Sequence, residues 1–461
     1  MARRSKTQLE LAFGGEATGE ARSDPGEGTE AAAASPEPQS PASSPGPCLE
    51  AIVARDNLRK ALAQVRRNKG APGIDGMTVE ALAAHLKDHW PAIRAQLLEG
   101  SYRPLPVKRV EIPKATGGVR ALGIPTVLDR FIQQAVLQVL QAHWDGTFSA
   151  SSYGFRPHRS AHQAVAAAQA FLASGHRVVV DIDIEQFFDR VNHDILMGLV
   201  ARRVSDPRVL RLIRGFLTSG VLADGLVGPT DEGTPQGGPL SPLLSNLMLD
   251  ELDRELERRG HRFARYADDC NIYVRSVRAG ERVMASVERF LERRLKLRVN
   301  RAKSAVAPPW QRKFLGFSFT GEATPRRRIA PQAVARFKER VRVLTRRTRG
   351  ASLAAIVTDL SRYLIGWRGY FGFCETLSVL RDLDRWIRRR LRSLVWKQWK
   401  RGRTRFAQLT RRGVGRDLAA QTAGSARGPW RLSNSPALTI ALPNAFFSRL
   451  GLASVTPRDT A

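Results

Sequence analysis

The stretch Arg262-Phe263-Ala264-Arg265-Tyr266-Ala267-Asp268-Asp269-Cys270-Asn271-Ile272-Tyr273-Val274 decides how this chain folds. Phe, Ile, Tyr and Val on either side favour strands, and a short polar Asp-Asp pair tolerates a tight turn, so the pattern predicts a β-hairpin with two carboxylates at its tip. Adjacent carboxylates repel. A bound divalent cation offsets that repulsion, and hard oxygen donors are what Mg²⁺ requires. A solvated acidic turn has the same local sequence, so the choice between the two rests on the remainder of the chain.

Val178-Val179-Val180-Asp181-Ile182-Asp183-Ile184 supplies a second acidic strand end. Its apolar run predicts a buried strand, and the period of two puts Asp181 and Asp183 on one face. Buried carboxylates need partners. One of the two could cap a helix expected to begin near Glu185, where Phe187, Phe188 and Val191 recur at helical spacing. Capping does not explain an acidic strand end matched by a second acidic hairpin, whereas a two-metal site for nucleotidyl transfer needs carboxylates on neighbouring strands.

Composition indicates the substrate class. The chain has 461 residues, with 74 Lys and Arg against 43 Asp and Glu, a formal net charge of +31. That excess is foreign to an enzyme of small metabolites and predicts a polyanionic partner bound through many salt-dependent phosphate contacts. No 18-residue apolar run is present and the Met1–Lys6 start leads into polar sequence, so no membrane association is expected. The three cysteines, Cys48, Cys270 and Cys374, are dispersed, which fits neither a disulfide framework nor a four-ligand zinc site and suits a reducing cytoplasm. Residues 1–48 read as a disordered, mildly acidic leader rich in Ala, Ser, Pro, Gly and Glu. Order is expected from about Leu49, with helical spacing through Ile52, Leu58, Leu62 and Val65.

Further segments follow in a fixed order: Gly73-Ile74-Asp75-Gly76, Val110-Glu111-Ile112-Pro113-Lys114, Arg120-Ala121-Leu122-Gly123-Ile124-Pro125-Thr126, Ser152-Tyr153-Gly154-Phe155-Arg156-Pro157 and Asp183-Ile184-Glu185-Gln186-Phe187-Phe188-Asp189. Gly233-Thr234-Pro235-Gln236-Gly237-Gly238-Pro239-Leu240-Ser241-Pro242, Tyr266-Ala267-Asp268-Asp269 and Phe314-Leu315-Gly316-Phe317 complete the series. In these motifs and their order, from Leu49 to about Lys400, the chain resembles the reverse transcriptase/maturase proteins encoded within bacterial group II introns.

The resemblance implies an α+β, right-hand polymerase: fingers over 49–150, a palm with an antiparallel sheet and the catalytic core over 151–324, and an α-helical thumb/maturase domain over 325–404. A basic extension over 405–461, a candidate for DNA binding, would follow. The implied catalytic residues are Asp183, Asp268 and Asp269, and the implied metal set, for two Mg²⁺ ions, is Asp183, Ile184, Asp268 and Asp269. Asp181 would be a supporting carboxylate, and Asp189 would orient a helix start. Lys114 and Arg120, flanking Thr116-Gly117-Gly118, would meet the triphosphate, and Gln236 and Gly237 would brace the nascent base pair. Without the resemblance, the cations read as surface residues of a hairpin and the Gln-Gly-Gly segment as a loop capping the helix expected from Pro242 through Leu252. Phe188, five residues after Asp183, stands where such enzymes place an aromatic against a ribose 2′-hydroxyl, which implies dNTP use; of Phe187 and Phe188, one should be core and the other the gate.

Arg156 and Arg159 are expected to contact template backbone or to pack their loop, and the two histidines nearby, His158 and His162, lack the neighbours of a metal site. Leu383, Trp386, Ile387, Leu391 and Leu394 follow helical spacing, with Arg385, Arg388, Arg389 and Arg392 among the intervening cations, so an RNA-binding helix is expected. Tyr363–Phe371 resembles the maturase-specific segment, which implies binding of intron RNA as both template and splicing partner, beside a DNA primer or target. No paired Cys and His cluster follows Cys374, so an appended HNH-type endonuclease is not expected. Two other functions stay open at this point: a catalytically silent RNA-binding maturase, and a bacterial reverse transcriptase serving phage defence or diversity generation.

Overall fold

The computed structural model describes residues 46–113, 119–223, 226–228, 232–234 and 237–457. The chain divides into two compact units, one comprising Pro45–Ala335 with Cys374–Thr376, the other Arg336–Phe373 with Leu377–Ala461 among the described parts.

The larger unit opens with helices α1 (Leu49–Ile52), α2 (Arg55–Asn68) and α3 (Leu82–Glu99). Strands β1 (Val107–Pro113) and β2 (Val119–Ile124) then pair antiparallel, with Pro113 opposite Val119, and helix α4 (Val127–Trp144) follows. Thr126 caps α4 through its side chain, and the buried Asp129 accepts bonds from Thr126 Oγ1 (2.7 Å), Tyr102 Oη (2.8 Å) and Leu105 N (3.2 Å). Helix α5 (Ala161–Ala173) starts in a capping box formed by Ser160 and Gln163.

β3 (Val178–Ile182) is buried throughout. After it, the chain makes a single 3-10 turn at Phe187–Asp189 in place of the helix expected near Glu185. Ile184 bridges to Val299, Glu185 N bonds Arg298 O at 2.8 Å, and Gln186 takes a left-handed φ of +46°, so no continuous helix forms until Asn192 caps helix α6 (His193–Ala201). Asn192, not Asp189, supplies that cap.

Helix α7 (Pro207–Leu217) and the short strands β4 (Val221–Ala223) and β5 (Leu226–Gly228) complete a first sheet of order β2-β1-β4-β5. Helix α8 (Ser241–Arg258) precedes the hairpin of β6 (Arg262–Tyr266) and β7 (Asp269–Val274), then helix α9 (Val277–Phe290) and β8 (Ala305–Ala307). The second sheet has the order β6-β7-β3-β8, and all its pairings are antiparallel. One face, carrying Val180 and Val274, is covered by α9 at Gly280; the other carries Asp181 and, at its far end, Tyr273, whose ring lies 5.5 Å from Phe171 of α5. Strands β9 (Phe317–Phe319) and β10 (Arg327–Ile329) form a separate two-stranded ribbon.

Helix α10 (Pro331–Leu344) leads into the smaller unit, with α11 (Leu353–Phe371), α12 (Leu377–Gln398), α13 (Gly402–Arg411), α14 (Arg416–Ala423), α15 (Pro429–Leu432), α16 (Pro436–Ala441) and α17 (Asn444–Arg449). Leu383, Ile387, Leu391 and Leu394 are buried, as their spacing predicts. Trp367 stacks on Phe371 at 4.8 Å and meets Phe337 in a tilted contact at 4.3 Å, an aromatic packing layer. Asp384, also buried, caps the C-terminal segment by accepting bonds from Val455 N, Thr456 N, Ser454 Oγ and Thr456 Oγ1.

A Cβ at Gly280 would sit 2.5 Å from Val306 Cγ1 and 3.3 Å from Val180 Cγ2, so this position sets how closely α9 approaches the sheet. Gly280→Val should therefore lower unfolding stability by about 1–3 kcal/mol through overpacking, despite its apolar character. Denaturant unfolding followed by Trp fluorescence checks this; an unchanged midpoint would refute the tight contact.

Candidate active site

The hairpin forms as its sequence predicts. Tyr266 pairs with Asp269, so Ala267 and Asp268 are the two-residue connection, and Ala267 takes a φ of +57°, a left-handed conformation uncommon for a residue with a Cβ. Such a turn persists only where its surroundings hold it.

Arg265 is the main holder. Its side chain is fully buried and all five guanidinium N–H groups are occupied. Nε and Nη2 grip Asp253 of α8 at 2.8 and 2.5 Å; Nη1 donates to Asn246 Oδ1 at 3.0 Å and to the Ala267 carbonyl at 2.9 Å; Nη2 also donates to Ser152 Oγ at 2.8 Å. Burial pushes the Asp253 carboxyl up and the guanidinium opposes it, giving a bidentate ion pair with no solvent access.

Ser151–Gly154 flanks the same hairpin. Ser152 forms a parallel bridge with Arg265, Tyr153 N bonds Arg265 O and Arg265 N bonds Ser151 O, both at 2.9 Å. A Cβ at Gly154 would collide with the backbone nitrogen of Ala267, so glycine is required for this segment to lie against the turn, and Asn246 Nδ2 ties the Gly154 carbonyl at 2.8 Å. The sequence reading did not identify Arg265, Asp253, Asn246 or Ser152. The signal available was an acid at position 253 in helix register with Leu249, Leu252 and Leu256, since an acid on an apolar helix face requires a partner.

Across the register, Ile182 pairs with Cys270 and Asp181 with Asn271, which sets the Asp183 end of β3 beside the Asp268–Asp269 turn. Asp183 is fixed through its backbone: its N–H bonds Ser304 Oγ at 3.0 Å and its carbonyl accepts from Asn300 N at 2.8 Å. Its carboxylate faces Lys303 Nζ at 3.5 Å. Asp181 is held by Arg312, through Nε at 2.8 Å and Nη2 at 2.5 Å, and Arg312 also binds the Lys303 carbonyl at 2.6 Å. Burial raises the Asp181 carboxyl, which Arg312 opposes.

Burial, followed by the charges of Asp181, Asp268 and Asp183, pushes the Asp269 carboxyl up to about 8. A carboxyl with a folded-state pKa above its ordinary 3.8 contributes stability below about pH 4 that is lost as pH rises through about 8. The donors are all hard carboxylate oxygens with repulsion left between them, which fits a divalent cation. Among the described residues, however, no three His, Cys, Asp or Glu side chains converge closely enough to hold a metal ion. The donor chemistry fits, while the side chains of Asp181 and Asp183 are turned to Arg312 and Lys303.

The other expected site residues divide. Phe187 is buried and Phe188 half-buried, their rings 5.2 Å apart in an edge contact. Gly237, at a φ of +145°, lies so near the Gly123 carbonyl that a Cβ would sit 2.6 Å away, which places this loop against the end of β2. The Arg120 backbone pairs with Ile112; Lys114 and Gln236 lie outside the described residues.

Two of the arginines assigned to RNA, Arg156 and Arg392, serve the protein interior, and a third, Arg389, is tied to a half-exposed aromatic. Arg156 directs all five donors inward, to Asp145, Ser149 O and Ser152 O, with its side chain 5% exposed, so of its two expected roles the structure shows the packing of its loop and not template contact. Arg392 is buried and donates to Leu442 O at 3.0 Å, and Arg389 lies 4.1 Å over the Trp430 ring and bonds Ser433 Oγ and Trp430 O. Arg159 lies over Tyr153 and donates to Ala150 O. Arg385 is exposed, beside Asp382 at 3.2 Å, and Arg388 is half-buried on the same helix. Among the described residues no helix is long and apolar enough to cross a membrane.

Residues 112–319 match the family described as reverse transcriptase (RNA-dependent DNA polymerase), and residues 334–413 match the group II intron, maturase-specific domain. Protein YkfC of Escherichia coli (strain K12) is 35% identical over 61% of this chain and 83% of its own length. Group II intron-encoded protein LtrA of Lactococcus lactis subsp. cremoris is 38% identical over 41% of this chain, a match that spans 31% of LtrA. A solved partial Cas6-RT-Cas1--Cas2 complex is 26% identical over 53% of this chain and 42% of that one, with a TM-score of 0.35.

Arg265→Met should leave Asp253 buried and unpaired and lower stability by about 3–5 kcal/mol. Adding Asp253→Leu should recover most of that loss, because an apolar pair replaces a buried ionic one. Divalent-cation-dependent activity should stay low in the double variant, since the Ala267 carbonyl has lost its donor. Chemical denaturation beside an activity assay checks both parts; a stable double variant with full activity would reduce Arg265 to a packing residue.

Proposed function

Because the chain belongs to the family of group II intron-encoded reverse transcriptases and maturases, we propose that it copies its intron RNA into DNA at the Asp183/Asp268–Asp269 site and assists splicing through its helical unit. The reaction is attack of a primer 3′-hydroxyl on the α-phosphate of a dNTP, with pyrophosphate leaving. The observation that carries this reading is the Arg265-braced turn, which sets two carboxylates beside the acidic end of β3 within the segment that matches the polymerase family.

Asp183, Asp268 and Asp269, with the main chain of Ile184, would hold divalent cations, Mg²⁺ in our reading, whose chemistry is to activate the attacking oxygen and to stabilise charge on the leaving one. The rest is the work of the chain's own residues. Arg312 keeps Asp181 paired, so that Asp181 supports the site by charge and position. Lys114 and Arg120 would bind the triphosphate and stabilise the developing negative charge. Phe188 would meet the sugar of the incoming nucleotide, with Phe187 as its buried support. Gln236 and Gly237 would sit under the nascent base pair.

Intron RNA would be both template and splicing partner, with a DNA strand as primer. The exposed cations of α12, Arg385 foremost, would contact its phosphates.

Primer extension on an RNA template with purified protein, Mg²⁺ and dNTPs tests the reading. Asp268→Ala should reduce extension at least ~100-fold with RNA binding retained. Phe188→Ala should raise ribonucleotide use relative to dNTP use, on the order of tenfold. Wild-type protein that binds RNA tightly but extends nothing would make the chain a splicing factor on a polymerase scaffold.

A further inference from the structure

At the end of the β6–β7 hairpin opposite the Asp268–Asp269 turn lies a groove of about 770 Å³, lined by Arg259, Arg262, Arg275, Arg282 and Arg289 with His176 and His261. The buried Val274 and Val283 contribute apolar surface to it, and no carboxylate is among its lining residues. Arg259 is neutralised by Glu255 at 2.5 Å and bonds Ser286 Oγ at 3.1 Å. Arg262, Arg275, Arg282 and Arg289 are exposed, and none of them forms an ion pair among the described residues.

The spacing of these cations indicates what they fit. Arg282 and Arg289 stand seven residues apart on α9, close to two helical turns, which puts them along one side of that helix, and Arg275 lies just after the end of β7, ahead of the Ser276 cap. Arg282 and Arg289 are about 10 Å apart along the helix axis, and Arg275 continues the basic lining past the start of the helix. A compact anion such as a mononucleotide can neutralise one position of such a row but not all of it. A polynucleotide backbone presents phosphates at every position, and each contact adds counterion release.

The groove is distinct from the carboxylate site. Arg262 is four residues from Tyr266 on the same strand, about 13 Å along it.

We propose that this groove binds the phosphodiester backbone of a folded RNA, giving the polymerase unit an RNA-holding surface of its own outside the catalytic site. The proposal rests on the reading that the chain handles structured RNA, and it extends that reading to a site in the unit that contains the palm sheet.

The test uses the full chain, with Arg275→Gln, Arg282→Gln and Arg289→Gln combined. A control combines Arg59→Gln, Lys87→Gln and Arg94→Gln, three exposed cations that line a different surface cavity. Binding of a structured RNA with no annealed primer is measured against salt, and extension of a short oligonucleotide primer–template is measured on the same preparations. The slope of log K against log salt should fall by about 2 in the groove variant and change little in the control, with oligonucleotide extension within twofold of wild type in both. An unchanged slope, or equal changes in the two variants, would overturn the site. An equal loss on duplex DNA of the same length would overturn its assignment to RNA. Failure of the wild type to extend the oligonucleotide would instead contradict the polymerase reading, and it is read in a separate arm.

Discussion

A guanidinium sealed from water has five donors to satisfy, and the way Arg265 satisfies them organises the catalytic half of this protein. Its partners come from α8, from the Ser152 segment and from the hairpin turn itself. Breaking a buried charged pair costs several kcal/mol because the remaining charge has no solvent to fall back on. The arrangement therefore tolerates little displacement of any one partner. Through the Ala267 carbonyl, that rigidity is transmitted to the residue that takes the left-handed conformation, and so to the two carboxylates that follow it.

The same turn gathers carboxylates around the buried Asp269. Arg312 answers Asp181 and Lys303 faces Asp183, but Asp269 sits among three other carboxylates and its carboxyl is driven up to about 8. A scaffold this firmly braced, holding carboxylates that repel, is suited to a site completed by divalent cations. Structural acidic clusters are ordinarily paired out, as Asp384 and Asp129 are in this chain through hydrogen bonds from their surroundings.

Much of this was legible in the residues. The triple valine of β3, the strand formers flanking Asp268–Asp269 and the leucine spacing of α8 and α12 each match the element observed, because burial periodicity is written directly into sequence. The α+β class and the polymerase family followed from the order of the motifs. What sequence does not encode locally is which arginines turn inward. Arg156, Arg265 and Arg392 resemble surface cations in a chain with so many, and their roles depend on carbonyls and carboxylates brought near by the fold. The expected helix at Glu185 failed for the same reason, since the chain there is held by Arg298 and Val299, more than a hundred residues away.

The central claim is that the braced turn and the end of β3 form one divalent-cation site. Fe²⁺ substituted for Mg²⁺ reduces added hydrogen peroxide to hydroxyl radicals that cut the backbone near where the ion is held, so the protein would be loaded with Fe²⁺, an RNA template–DNA primer and the next dNTP, treated with ascorbate and hydrogen peroxide, and its cleavage positions mapped by mass spectrometry. Cuts clustered at residues 181–184 and 266–269, and lost in Asp183→Ala, are the predicted result. Cleavage confined to other segments, or unaltered by that substitution, would contradict the account.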